Sequence, residues 1–264
     1  MSVSQEATFS KKVGPRTYES LGRCGCQLLL DRIDGYNRAQ LPAILAKATF
    51  DTYRVHWPSQ DHAKQRVLAF AMGYSRQSPT RGFVLSGPVG TGKTHLLGAA
   101  LTHLSLERGM GVRYVEISLL YAAIRRGFQE GKSGGEIIGP LSQVEVLAID
   151  ELGKGRGSPF EVETLEELIA RRYNAGRTTL FATNYGLDDP AAHKRPAPTR
   201  SATESAKTPE PLSERVSLRI YSRLCEMCEF VSLPDSVPDH RRGSQGLSPV
   251  RAGRGAASEP RRND

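Results

Sequence analysis

The apolar residues of this chain alternate between short continuous runs and helical stripes. Phe83-Val84-Leu85, just after Arg81-Gly82, reads as a buried strand. Val112–Ile117, Val144–Ile149 and Thr178–Thr183 repeat that pattern, and Phe230–Leu233 offers a fifth run. Helical spacing fills the intervals. Val67, Leu68, Phe70 and Ala71 mark a helix over His62–Tyr74, and His95–Leu106 follows the first strand as another. Leu119, Leu120, Ala123, Ile124 and Phe128 form one stripe. Val162, Leu165, Leu168, Ile169 and Tyr173 form a second, closed by the C-cap signal Asn174-Ala175-Gly176. Val216, Ile220 and Leu224 mark a last helix over Ser213–Glu229. Nearly all-apolar strands alternating with amphipathic helices predict an α/β fold: a parallel five-stranded sheet flanked by helices.

Three stretches stand outside this order. Residues 1–60 are weakly patterned, with a short helix expected near Gln27–Tyr36. Residues 187–212 hold five prolines among Lys, Arg, Ser and Thr and read as a flexible surface insertion. Residues 243–264 are rich in Gly, Arg, Ser and Pro and read as a disordered basic tail. The expected organisation is an N-terminal region at 1–60, a main domain at 61–242 and the tail. No internal repeat is visible.

Composition sharpens the picture in two ways. A net charge of +8 favours an anionic partner, with nucleic acid first, although the six arginines of residues 240–264 supply a large part of the surplus. No apolar run approaches the roughly 20 residues that span a bilayer. The first residues lack the apolar segment of a signal peptide, so a cytoplasmic protein without membrane contact is expected. Four cysteines in 264 residues are too few for a disulfide framework.

The chemistry begins at Gly87-Pro88-Val89-Gly90-Thr91-Gly92-Lys93-Thr94, which fills every fixed position of G-x-x-x-x-G-K-[ST] between a strand and a helix. Glycines let the backbone curl so that its N–H groups face phosphate oxygens, and the helix N-terminus adds its positive end. Lys93 is expected to reach the β- and γ-phosphates of ATP, and Thr94 to supply a hydroxyl to Mg²⁺. About 60 residues on, the strand Val144–Ile149 ends in Asp150-Glu151, a Walker B pattern. Asp150 would hold Mg²⁺ through water and Glu151 would act as the base toward the attacking water. Asn184, at the end of the next strand, is the candidate to position that water; the plain alternative is an ordinary turn residue.

Arg215, Arg219 and Arg223 recur every four residues beside the apolar stripe of the last helix. Such a row is usually a solvated face. In a ring-forming ATPase one arginine instead reaches the neighbour's nucleotide, and Ser222-Arg223-Leu224 makes Arg223 the first candidate and Arg219 the second. Arg241, in Pro238-Asp239-His240-Arg241-Arg242, is a candidate nucleotide sensor. Cys225 and Cys228, on the same helix, read as buried core thiols.

Taken together, these residues resemble the DnaC/IstB family of AAA+ ATPases. The carriers are Arg81–Thr94 with His95-Leu96, Asp150-Glu151-Leu152-Gly153, Leu168–Asn174, Ala182-Thr183-Asn184-Tyr185 and Arg219–Leu224. The resemblance covers about residues 61–242. It implies an AAA+ ATPase that loads a hexameric replicative helicase, binds single-stranded DNA and assembles as an ATP-dependent homo-oligomer. It also allows a helper ATPase of a transposase. A third reading is a nucleotide-dependent interaction switch with little turnover. In such folds the segment carrying Arg125, Arg126 and Lys132 faces the central channel, where basic side chains would follow a phosphate backbone; the alternative is a solvated helix end. His95, after the loop, joins the candidate nucleotide residues on the same grounds. Residues 22–53 resemble the back half of a zinc module, but Cys24 and Cys26 stand without a front pair or a nearby His, so no zinc is expected.

Overall fold

A computed structural model describes residues 6–13, 15–23, 25–77, 81–187 and 211–234. Its centre is a parallel sheet of five strands: β3 (Gly82–Ser86), β4 (Val112–Glu116), β5 (Val146–Asp150), β6 (Thr178–Thr183) and β7 (Cys228–Ser232), in the spatial order β4-β5-β6-β3-β7. The order follows from burial. Every residue of β3, β5 and β6 is buried, as inner strands covered on both faces must be, whereas the edge strands β4 and β7 are only partly covered. This is the P-loop AAA+ architecture expected from the sequence.

Alternate strand residues point to opposite faces and into separate cores. Phe83, Leu85, Val146, Ala148, Leu180 and Ala182 pack with α2 (Pro58–Gly73) and α3 (Lys93–Thr102). Val84, Leu147, Ile149 and Phe181 pack beneath α4 (Ile117–Gln129), α5 (Gly134–Gln143), α6 (Pro159–Asn174) and α8 (Leu218–Met227). The first core also takes in Leu45, Ala48, Phe50 and Tyr53, so it extends upstream of the expected boundary at residue 61.

One buried cation holds the base of the sheet. Arg172, 0% exposed, donates to Leu141 O at 2.7 Å, Val144 O at 2.9 Å, Thr178 O at 2.5 Å and Thr179 Oγ1 at 2.9 Å. Burial pushes its guanidinium down to about 9, still charged at neutral pH. The cluster of neutral acceptors compensates for lost water and pins α6 to the N-terminal ends of β5 and β6.

Several elements differ from expectation. β1 (Glu6–Val13) pairs antiparallel with β2 (Arg16–Arg23), where no strand was expected, while the helix expected near Gln27–Tyr36 is present as α1 (Gly25–Arg38). Gly134–Gln143 is a helix despite its glycines and Pro140, started by a capping box in which Glu136 returns to the Ser133 amide. The helix expected over 213–229 is two: α7 (Leu212–Val216) and α8, separated by Ser217 at φ +73°. Cys228, the first residue of β7, is buried as expected, but Cys225, on α8, is exposed. Cys26 is disulfide-bonded. Residues 188–210, most of the insertion, and the tail lie outside the described residues. No helix among the described residues is long and apolar enough to cross a membrane.

Candidate functional site

The phosphate loop joins β3 to α3. Gly87, Gly90 and Gly92 all have positive φ, at +149°, +82° and +93°. Two of them also face close neighbours. A Cβ on Gly87 would lie 2.3 Å from Leu233 O, and one on Gly92 would lie 2.6 Å from the Tyr53 ring. Side chains are therefore excluded by both conformation and space. Lys93, 6% exposed, opens α3 and donates from Nζ to Gly87 O at 2.7 Å and Pro88 O at 2.6 Å. Thr91 Oγ1 donates to Pro88 O at 2.9 Å, Val89 is exposed at the crest, and Thr94 follows in the first turn of the helix.

The segment before α2 and the first turn of α2 brace this loop. Tyr53 Oη and Gln60 Nε2 both donate to Thr91 O, at 3.2 and 3.3 Å, and burial pushes the Tyr53 phenol up to about 12. His95 lies edge-on to Tyr53, and its Nε2 is 3.0 Å from Thr49 O and 3.3 Å from Thr52 Oγ1. His95 thus ties residues 49–53 to the loop.

The acidic pair stands at the C-terminal end of β5, on the same end of the sheet. Asp150, 4% exposed, accepts from Tyr114 Oη at 2.8 Å and from the Glu151 amide at 2.8 Å. That desolvated contact, with the carboxylate beside it, raises the Tyr114 phenol far above its ordinary value. Glu151 has φ +56°, a left-handed conformation uncommon outside glycine. Its carboxylate is ion-paired with Lys154, which also lies 3.6 Å from Glu116. Glu116 pairs in register with Asp150 across β4 and β5. Ser118 Oγ donates to Glu116 Oε1 at 2.6 Å, and this bond, with Glu151 and Lys154 nearby, holds its carboxyl below the usual range. The oxygen ligands offered by Thr94 and Asp150 suit a hard cation such as Mg²⁺, and Asp150 is buried and already oriented by two donors. Among the described residues there is no cluster of three or more His, Cys, Asp or Glu side chains able to hold a metal on their own.

Asn184 is exposed just beyond β6, the strand between β3 and β5. Its surroundings are fixed: Gly87 N donates to Thr183 O at 3.3 Å, and Thr183 Oγ1 donates to Leu152 O at 2.7 Å. The sheet therefore brings the loop, Asp150-Glu151 and Asn184 to its C-terminal end.

The arginines divide. Arg219 is exposed and Arg223 half-buried on α8, and neither makes an ion pair among the described residues. Arg215, on α7, turns inward and binds Gly153 O and Gly155 O. Arg125 pairs with Glu161 at 3.3 Å and lies over the Phe160 ring, and Lys132 pairs with Glu130 at 2.7 Å. Arg126 is exposed beside a groove of about 740 Å³ between β4, α4 and α5. Arg241 lies outside the described residues. The sequence reading missed Tyr53, Gln60, Tyr114, Glu116 and Lys154. Only Glu116, an acid ending the strand beside the Asp150 strand, left a visible signal.

Known proteins share this fold. The replicative helicase loader DnaC of Escherichia coli (strain K12) is 28% identical over 155 residues, 58% of this chain and 62% of DnaC; the match thus spans about three-fifths of that relative's length. The crystal structure of the DnaC helicase loader superposes with a TM-score of 0.60 at 25% identity, covering 73% of this chain and 99% of that one. The crystal structure of DnaI superposes at 0.55 with 19% identity, over 76% and 94% of the two chains, a likeness of fold. The model of IstB-like ATP binding proteins matches residues 32–192, which include the phosphate loop, Asp150-Glu151 and Asn184, and the chain belongs to that family.

Proposed function

We propose that this chain hydrolyses ATP to drive the loading of a replicative helicase onto single-stranded DNA. The observation that carries the reading is the meeting of Lys93, Asp150, Glu151 and Asn184 at one end of the sheet. Lys93 exchanges its loop carbonyls for phosphate oxygens, and the loop amides bind the remaining phosphate charge. Thr94 and Asp150 would hold Mg²⁺, which would supply positive charge to offset that of the phosphates. Glu151 takes a proton from the attacking water, and Asn184 orients that water. Arg223, or failing it Arg219, approaches a neighbour's γ-phosphate within an ATP-dependent oligomer.

One observation favours a second reading. The ion pair between Glu151 and Lys154 occupies the base, which suits a nucleotide switch with little turnover until a partner separates the two. The partner is tested by using Glu151→Gln protein, loaded with ATP, as bait in native extract. The loader reading predicts recovery of a replicative helicase, dependent on ATP and absent with Lys93→Ala bait. Recovery of a transposase in its place would assign the chain as a transposition helper.

A further inference from the structure

The loop after Glu151 contains Gly153, Gly155 and Gly157, all at positive φ, and a backbone so rich in glycine has little stiffness of its own. Its two ends are anchored. Leu152 N donates to Ala182 O at 2.8 Å, and Glu161 accepts from the amides of Arg156 and Gly157 at 2.8 and 3.0 Å. The middle is gripped by one side chain. Arg215 donates from Nε to Gly153 O at 3.2 Å and from Nη2 to Gly155 O at 2.8 Å. Its guanidinium also lies 5.1 Å from the centre of the Tyr185 ring, and Tyr185 directly follows Asn184. These groups are tightly packed: a Cβ on Gly153 would fall 2.8 Å from the Tyr185 ring and 3.2 Å from Arg215 Cβ. Arg215 belongs to α7, two residues before the Ser217 break that begins α8 with Arg219 and Arg223.

We propose that Arg215 is a positioning residue for hydrolysis, fixing the loop of Glu151 and the ring beside Asn184 to the helix pair that presents Arg219 and Arg223. The proposal rests on the reading of Glu151 as base and of α8 as the bearer of the trans-acting arginine. A planar fork with two separated donors bridges two carbonyls that a point charge cannot hold together. Displacement of α7 and α8 at a subunit interface then displaces the loop of Glu151, so assembly and the placement of the base are mechanically joined.

The test compares Arg215→Met and Arg215→Lys with wild type in turnover, nucleotide affinity and hydrogen exchange. Nucleotide affinity is expected to stay within about threefold in both, while kcat falls roughly 100-fold in Arg215→Met, as misplacement of a catalytic group by about 1 Å can do. Arg215→Lys retains charge but reaches one carbonyl, so its kcat should remain about tenfold low. Amides from Gly153 to Gly157 should exchange about tenfold faster in Arg215→Met, with those of β3 and β5 unchanged. Unaltered kcat, or a raised KM with kcat intact, would overturn the proposal. Should wild type show no Glu151-dependent turnover, the functional reading fails, and the exchange measurement decides for Arg215 by itself: unchanged loop exchange overturns it. Should Arg215→Met fail to fold, Arg215→Lys carries both readouts.

Discussion

Arg172 and Lys93 are both buried cations held by backbone carbonyls, yet they serve opposite ends of the sheet. Arg172 sits at the N-terminal ends of β5 and β6, away from the phosphate loop. Replacing it with Met would strand its acceptors in a dry interior, at about 1–3 kcal/mol for each group left unpaired. Arg172→Met should therefore lower stability by about 3 kcal/mol or more in urea denaturation, while the remaining folded protein binds nucleotide as wild type does. Much of the site was legible at this scale. The loop, Asp150-Glu151 and Asn184 occupy fixed places along the chain, and their chemistry depends on local spacing. Tyr114 was not legible, because it reaches Asp150 across β4 and β5, which no local pattern records; Lys154 was not, because a loop lysine three residues after Glu151 carries no signature of pairing; Glu116 showed only as an acid at a strand end.

The strands and most helices announced themselves through periodicity, because a sheet buried on both faces demands continuous apolar runs. The misses have separate causes. α5 hid behind Gly134, Gly135, Gly139 and Pro140, whose poor helix propensity is outweighed by the burial of Ile138 and Leu141. The β1–β2 hairpin shows no clean alternation of apolar and polar residues. The split between α7 and α8 is invisible because Val216, Ile220 and Leu224 keep helical spacing across it. Ser217, at φ +73° and ψ +151°, holds a conformation that is nearly exclusive to glycine. It is held there by its hydroxyl, which donates to Glu166 Oε1 at 2.9 Å and accepts from Ile220 N at 3.4 Å. Ser217→Ala keeps the strain and loses the cap, so it should cost about 1–2 kcal/mol. Ser217→Gly relieves the strain and should lie nearer wild type, an ordering that thermal denaturation of the two variants would read directly.

For the molecule as a whole, Arg219 and Arg223 on α8 and Arg126 on α4 make no ion pair among the described residues, whereas the exposed Arg125 and Lys132 would exchange their ion pairs with Glu161 and Glu130 for phosphate contacts if they met DNA. A trans-acting arginine is worth about 10³–10⁵ in rate in GTPases. Arg223→Ala should accordingly bind ATP normally and turn it over slowly. Mixed with Glu151→Gln, which keeps Arg223 but lacks the base, it should regain activity above the sum of the two. If the mixture shows no gain although both variants bind ATP and associate, the role passes to Arg219.

The central claim, that Lys93 binds the phosphates and Glu151 activates the attacking water, is tested most directly by measuring ATP affinity and steady-state turnover on three proteins side by side. Wild type should bind and hydrolyse, Glu151→Gln should bind with similar affinity and hydrolyse at background rate, and Lys93→Ala should do neither. Equal affinity in wild type and Lys93→Ala, or undiminished turnover in Glu151→Gln, would contradict it.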